Sequence, residues 1–449
     1  MNTDIHRLEP AFDFSSGESS VLLYQGKAEM RIEGNSYAGD GEVRLDLLPR
    51  ANIYLYGNFS GVSAQDAMET IIGQKEISSF SMNGHQVEGF RLSCGGDVSA
   101  QQYNIKWCPK SKQVIVVGDE STPMTRAVFH LFNFIDLVGT RRSTEQYGTV
   151  MHCIEHVDLA CDEWKIELKS LPSTSESIKR LKEEGGYLLT HIGEIQKADQ
   201  TSFTGKDADR CLKSLRFFLS FAKGVWCEPI YTVGFDGFGN SVWESCSSPR
   251  ESWNAPLSWF DPHNGSQLAI LFPCFMKRWT NDDWREALYE VIYWYLNANH
   301  PSRGIDAGII LTQAAIERLS YEYSVKDKRL LTVKGFKDLW ASDKFRLLFS
   351  SLRIPLDIPA ATPTLQGFSP SGQMNWIDAP HALTEIRNSL VHPEHKHRGH
   401  FENAYHEAWN LGLWYLEMGI LAVCGYSGSY GNRLKQRYAG QTEDIPWKE

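Results

Sequence analysis

Arg387, Asn388 and His392 stand in the order Arg-Asn-Ser-Leu-Val-His, with Pro393 directly after. A guanidinium, an amide and an imidazole are the parts needed to cleave a phosphodiester without a metal. In such a reaction the ribose 2′-OH attacks the neighbouring phosphate, and a group titrating near neutral pH moves the protons, which suits histidine. The phosphorane gathers negative charge, which arginine meets with fixed, forked donors. On a continuous helix Arg387 and His392 would lie about 140° apart around the axis. Pro393 disfavours helical geometry in the residue before it, so His392 is expected at or just past the helix end. From there its ring can swing towards Arg387, while Leu383, Ile386 and Leu390 anchor the helix in the core. Asn388 could bond the phosphate or orient His392.

Other chemistry is thinly represented. There is no Walker-type phosphate loop, no His-Glu-x-x-His, no Gly-x-Ser-x-Gly and no paired Cys-x-x-Cys. Gly234, Gly237 and Gly239 are read as a turn, because the strand-loop-helix context of a phosphate loop is missing. His152, Cys153, His156 and Cys161 do not match zinc spacing, and strand alternation sends the histidines to one face and the cysteines to the other. No metal or cofactor is expected. Four histidines, His392, His395, His397 and His400, crowd the stretch after the motif helix.

The elements that must position these residues follow from periodicity. Residues 20 to about 170 alternate with period two, as in Ala28, Met30, Ile32 and in Val43, Leu45, Leu47, with Gly and Asn clusters between runs. Several short strands of this kind suggest a sandwich or barrel. Ser173 and Glu176 have capping-box spacing. Tyr187 to Ile195 reads as a strand and Lys206 to Lys223 as a helix stopped by Gly224. Residues 225 to 275 read as hairpins and aromatic-rich loops. From residue 281 the period becomes 3.6, with Asn281 as N-cap before Trp284, Ala287, Leu288, Val291 and Tyr295. Further helices are expected around Ile305 to Leu319, Phe336 to Leu352, Leu383 to Leu390 and Ala404 to Met418. A loop holding Pro355, Pro359, Pro363, Pro370 and Pro380 interrupts them, and Gly425 to Gly431 reads as a mobile tail. The fold class is α+β multidomain: a β-rich, sandwich-like N-terminal domain over 1–172, an α+β connecting region over 173–280, an all-α bundle over 281–435, and a tail over 436–449.

Length and charge set the frame. The 449 residues suggest two to three domains, and 42% hydrophobic against 22% charged residues is ordinary for a globular protein. The net charge of −10 argues against bulk electrostatic coating of nucleic acid. The acidity is uneven. From residue 281 onward there are 18 Lys and Arg against 20 Asp and Glu, or −2, which leaves −8 for the first 280 residues. Between Lys326 and Arg398 the count is 11 against 7, or +4. The start of the chain shows no apolar signal-peptide core and no apolar run is long enough to span a bilayer, so a cytoplasmic setting without membrane contact is expected. Nine cysteines fit a reducing compartment.

The Arg387-to-His392 segment, with Asn directly after Arg, resembles the R-x4-6-H motif of HEPN domains. The resemblance spans roughly residues 281–425. It includes Ala307 to Tyr323, where Glu317 stands at the place of an acidic residue that often faces the site. A β-rich part before such a bundle, with the segment Gly186 to Ile195, is similar to ApeA-like HEPN proteins of anti-phage defence. The resemblance implies an HEPN-like bundle, a metal-independent endoribonuclease acting on tRNA or other structured RNA in abortive infection, and a homodimer with two motifs facing one cleft. It also implies a regulatory N-terminal part, open to a phage-derived trigger. Arg387 would stabilise the transition state, His392 transfer protons and Asn388 position, with Glu317 and Glu385 as supports.

Two other functional classes stand beside this one. The bundle could be a non-catalytic HEPN module that dimerises or binds RNA or protein. The function could also sit in a ligand-binding β part, with tryptophans between Trp226 and Trp284 stacking on sugars or bases.

Overall fold

A computed structural model describes residues 8–12, 14, 19–97, 101–147, 150–368, 376–392, 394 and 400–448. The first sheet is built from β1 (Ser20–Ile32), β2 (Asn35–Asp46), β3 (Asn52–Ser60), helix α1 (Ala64–Ile71), β4 (Ile77–Met82), β5 (His85–Gln86), β6 (Gly89–Asp97) and β7 (Gln102–Pro109). Its strand order is β5-β4-β1-β2-β3-β7-β6, and its pairings are antiparallel. The expected alternation holds: Ala28, Met30 and Ile32 are buried, as are Val43 and Leu45.

The second sheet draws on a longer stretch of chain. Its region contains β8 (Gln113–Val117), β9 (Pro123–Met124), β10 (Arg126–Phe132), β11 (Arg141–Tyr147), β12 (Val150–Ala160), β13 (Trp164–Ser170), α2 (Thr174–Glu184), β14 (Leu189–Lys197), β15 (Phe203–Thr204), α3 (Gly205–Lys223), β16 (Pro229–Phe235) and β17 (Ser241–Ser247). The order is β11-β12-β13-β14-β10-β16-β17-β8. A boundary at 172/173 therefore falls inside this sheet, since β13 and β14 pair along their length across it, Trp164 opposite Lys197 through Ser170 opposite His191.

This second sheet is apolar on both faces, as befits a sheet covered on two sides. On one face Val114, Val116, Tyr231, Val233 and Cys246 join the core of the first sheet. On the other, Phe129, Leu131, Ile166, Leu168 and Trp243 join a core that continues through α3 into the helices. Sheet and bundle are thus one hydrophobic body. The tryptophans Trp226, Trp243, Trp259, Trp279 and Trp284 are buried in that body and offer no stacking surface.

The helical part comprises α4 (Ser266–Trp279), α5 (Asp282–Ala298), α6 (Ile305–Tyr321), α7 (Val333–Lys337), α8 (Ala341–Ser351), α9 (Pro363–Phe368), α10 (Ala379–Val391) and α11 (Tyr405–Cys424). The N-cap reading is right: the Asn281 side chain accepts from the Trp284 amide at 3.1 Å. Gly224 ends α3 in the left-handed conformation at φ 83°. Four expectations need correction. Helix α4 takes up residues 266–275, where hairpins and loops were expected; Leu268, Leu271, Phe272, Phe275 and Met276 keep a helical period through it, with Pro273 inside. The helix expected from Phe336 to Leu352 is two pieces, broken between Lys337 and Ala341. Ser173 begins α2 without a capping hydrogen bond from its side chain. The segment after α11 is packed: Tyr426 and Tyr430 are buried, and β18 (Ser429–Tyr430) pairs with β19 (Glu443–Asp444).

Candidate functional site

Helix α10 carries the motif, and its start explains why prolines precede it. Asp378 is the N-cap, its Oδ1 accepting from the His381 amide at 2.9 Å, and Pro380 sits in the first turn, where its missing N–H is no loss. Pro363 likewise opens α9. Two of the five prolines assigned to a long loop therefore begin helices. Asp378 also forms an ion pair with Arg346 of α8, at 2.6 Å.

The buried stripe of α10 is Ala379, Ala382, Leu383, Ile386 and Ser389. Gln313 of α6 donates from Nε2 to the Leu383 carbonyl at 2.5 Å, which pins the middle of α10 to the bundle. The helix then presents Arg387 and Asn388 half-buried at its edge. The Arg387 guanidinium donates to Asn388 Oδ1 at 3.3 Å, and among the described residues it makes no ion pair. His392 is the C-cap with φ −102° and ψ 110°, an extended conformation, and its amide closes the last turn on the Asn388 carbonyl at 3.0 Å. Its ring is exposed. The backbone thus leaves the helix at His392, as the following proline requires, and an exposed imidazole, an amide and a guanidinium share the C-terminal turn of one helix.

The two acidic residues are placed differently. Glu385 is half-buried on α10 and has a partner of its own. Glu317 accepts from Lys344 of α8 at 2.6 Å. Through Arg346 that same helix is tied to Asp378, at the opposite end of α10 from His392. The Glu317 carboxylate is thus engaged by α8. Neither Gln313 nor Asp378 stood out in the sequence as a positioning residue. The Asp-Ala-Pro start of α10 was the readable signal for the second.

The remaining candidates fall into structural roles or outside the described residues. Pro393, His395, Lys396, His397, Arg398 and Gly399 lie outside them. His381 accepts the Ile377 amide at 3.1 Å, and His406 packs edge-on against Trp409 with ring centres 5.8 Å apart. His156 bridges Ser143 at 2.7 Å and Glu167 at 2.8 Å, and that hydrogen bond holds the Glu167 carboxyl below its ordinary range. Among the described residues no group of three or more His, Cys, Asp or Glu could hold a metal ion. Gly239 takes a left-handed conformation at φ 86° in the hairpin between β16 and β17, so Gly237 and Gly239 belong to a turn, while Gly234 lies in strand β16 opposite Trp243. No helix among the described residues is long and apolar enough to cross a membrane.

Comparison with known proteins follows the same division of the chain. No solved structure matches it. Residues 119–256, which run from β9 to β17 and include α2 and α3 but not β8, match the family model of the YopA central domain. Residues 281–444, from α5 through β19, match that of the YopA C-terminal domain. Over 453 aligned residues, covering 98% of each chain, the protein is 28% identical to the SPbeta prophage-derived uncharacterized protein YopA of Bacillus subtilis (strain 168).

Proposed function

We propose that the helical part is a metal-independent endoribonuclease of the HEPN kind, built on Arg387, Asn388 and His392, and that the β-rich part regulates it. The observation that carries this reading is the end of α10. Arg387 is held half-buried without a carboxylate partner among the described residues, and His392 stands exposed in extended backbone within the same turn. In the reaction the 2′-oxygen bonds to phosphorus as the bond to the 5′-oxygen breaks. The 2′ proton passes to an imidazole, and a proton is delivered to the departing 5′-oxygen. The products are a 2′,3′-cyclic phosphate and a 5′-hydroxyl. Arg387 meets the charge on the non-bridging oxygens. One exposed histidine suffices for one proton transfer, so a second copy of the chain facing the first would supply the other.

The substrate class is tRNA or another structured RNA, and the setting is abortive infection with a phage-derived trigger. Support for that setting comes from the Bacillus subtilis relative, which is prophage-derived. Expression in cells followed by sequencing of RNA ends tests the reading. The wild type should be toxic and leave discrete cleavage sites, and Arg387→Ala or His392→Ala should abolish both. Toxicity and cleavage unchanged in both variants would refute it. Intact RNA with retained binding would favour the non-catalytic module.

A ligand-sensing role for the β-rich part has its own observation. A cavity of about 1010 Å³ lies between the N-terminal segment and α2, lined by Phe12, Phe14, His152, Glu176 and Arg180 among others. A thermal-shift screen of the full chain against small anionic and aromatic compounds tests it, with Arg180→Ala as the control.

A further inference from the structure

Between α6 and α8 the chain makes a compact excursion whose surface differs from the rest of this acidic protein. A π-helical turn (Glu322–Asp327) extends α6, α7 follows, and Trp340 caps the start of α8. Residues 326–346 contain seven Lys or Arg against three Asp, a net of +4, in a chain whose net charge is −10.

Some of those cations are engaged. Lys344 binds Glu317, Arg346 binds Asp378, Lys326 lies 3.5 Å from Glu322, and Lys328 lies 3.7 Å from Asp327. Arg329, Lys334 and Lys337 are exposed and make no ion pair among the described residues. Trp340 is 81% exposed, and Leu330 and Val333, ten and seven residues before it, are exposed as well. One acidic residue, Asp338, lies exposed within the stretch.

The segment is held in place. Phe336 is buried edge-on against Tyr321, ring centres 5.4 Å apart, with the Lys344 ammonium 4.9 Å from its ring centre. Thr332 caps α7 through the Gly335 amide at 3.1 Å, and the Leu330 amide closes on the Ser324 carbonyl at 2.7 Å. Arg329 itself takes a left-handed backbone at φ 52°. Strained non-glycine residues and π turns both gather at functional sites.

Exposed cations without an ion-pair partner among the described residues, and an exposed indole on the same short stretch of chain, suit a single-stranded nucleic acid. The cations meet phosphates and the indole stacks on an unpaired base. A lipid surface is the poorer match, because α7 is a five-residue helix and presents no continuous apolar face for insertion.

We propose that Arg329, Lys334, Lys337 and Trp340 form an RNA-binding exosite that takes an unpaired loop of a structured RNA. The identity of the polyanion as RNA rests on the ribonuclease reading above. Arg346, six residues after Trp340, is tied to Asp378 at the start of α10, and His392 caps the other end of that helix, which is thirteen residues or about 20 Å long. A ligand that engages both the exosite and His392 is a folded RNA, and a mononucleotide cannot be one.

The experiment is fluorescence anisotropy with the full-length His392→Ala chain, which should leave RNA intact. The probes are a labelled RNA hairpin with a single-stranded loop and its fully paired duplex. The hairpin should bind more tightly than the duplex. Trp340→Ala should weaken hairpin binding roughly ten-fold. Lys334→Glu with Lys337→Glu should weaken it at least as much and reduce the slope of log affinity against log salt by about 1.4, two phosphate contacts on a single strand. Hairpin binding unchanged in both variants overturns the exosite, even if the wild type cleaves RNA. Loss of binding to phosphatidylserine vesicles, with RNA binding intact, also overturns it in favour of a membrane surface. Variant-sensitive RNA binding by a wild-type protein that does not cleave sustains the exosite and refutes the ribonuclease. Unchanged thermal unfolding of the variants confirms that the surface changes leave the fold intact.

Discussion

Arg433 and Glu417 face each other 2.9 Å apart, with both side chains sealed from solvent. Tyr295 donates to the same carboxylate at 2.7 Å, and Arg433 also donates to Asn299 at 2.9 Å. This network fastens the chain after α11 to α5 and to the loop before α4, and it makes the C-terminal segment part of the core.

Breaking that pair should be severe. Arg433→Leu strands a buried carboxylate and is expected to lower stability by about 3–5 kcal/mol in urea unfolding. Burial already outweighs the Arg433 charge and the tyrosine hydroxyl and leaves the Glu417 carboxyl above its ordinary range. A raised carboxyl stabilises the fold most below the ordinary carboxylate range, and that contribution falls as pH rises. The variant's deficit should therefore be larger at pH 8 than at pH 5, and Arg433→Leu with Glu417→Leu should recover most of it. An equal deficit at both pH values would contradict the argument.

Acid should weaken the sheets through two histidines. Burial pushes His130 down to about 4 and His191 to about 3. Nε2 of His130 accepts the Ala11 amide at 3.0 Å, which requires the neutral ring, and neither ring nitrogen of His191 has a partner among the described residues. For depressed values the contribution is fully present above about 6.5 and is lost as pH falls towards the folded values. Each histidine should withdraw roughly 2 kcal/mol by pH 5. His191→Leu should hold stability at pH 7 and remove about half of the acid loss. Parallel pH profiles for variant and wild type would contradict this.

Helix contact depends on a missing side chain at Gly308. A Cβ there would stand 2.5 Å from Trp409 Nε1, and that indole cannot retreat because it donates to the Ala298 carbonyl at 2.8 Å. Gly308→Ala should lower stability by about 1–3 kcal/mol, read as a lower midpoint in thermal unfolding.

The motif helix should depend on its far end as well. Asp378→Ala removes the N-cap of α10 and the tie to Arg346, and should reduce RNA cleavage while Asp378→Asn, which keeps the cap, retains more of it. Equal activity of the two variants would remove the cap from the account.

What could be read from the chain was mostly local. Period two in β1 and β2, the Asn281 cap, the Gly224 stop and the break at His392 each depend on neighbouring residues and came through in the sequence. What failed to come through depends on distant partners. The pairing of β13 with β14 spans the expected domain boundary, and the buried Arg433–Glu417 pair turns an expected mobile tail into core. Lys344 draws Glu317 towards α8, which no spacing within α6 announces. The first turn of α10 was obscured because Pro380 was read as a breaker where it is tolerated.

The most direct test of the central claim is chemical analysis of RNA ends made by purified full-length protein in the presence of a chelator. The account predicts cleavage of structured RNA with 2′,3′-cyclic phosphate and 5′-hydroxyl termini, abolished by Arg387→Ala and by His392→Ala. Cleavage that persists in both variants, or that leaves 3′-hydroxyl and 5′-phosphate ends, would contradict it.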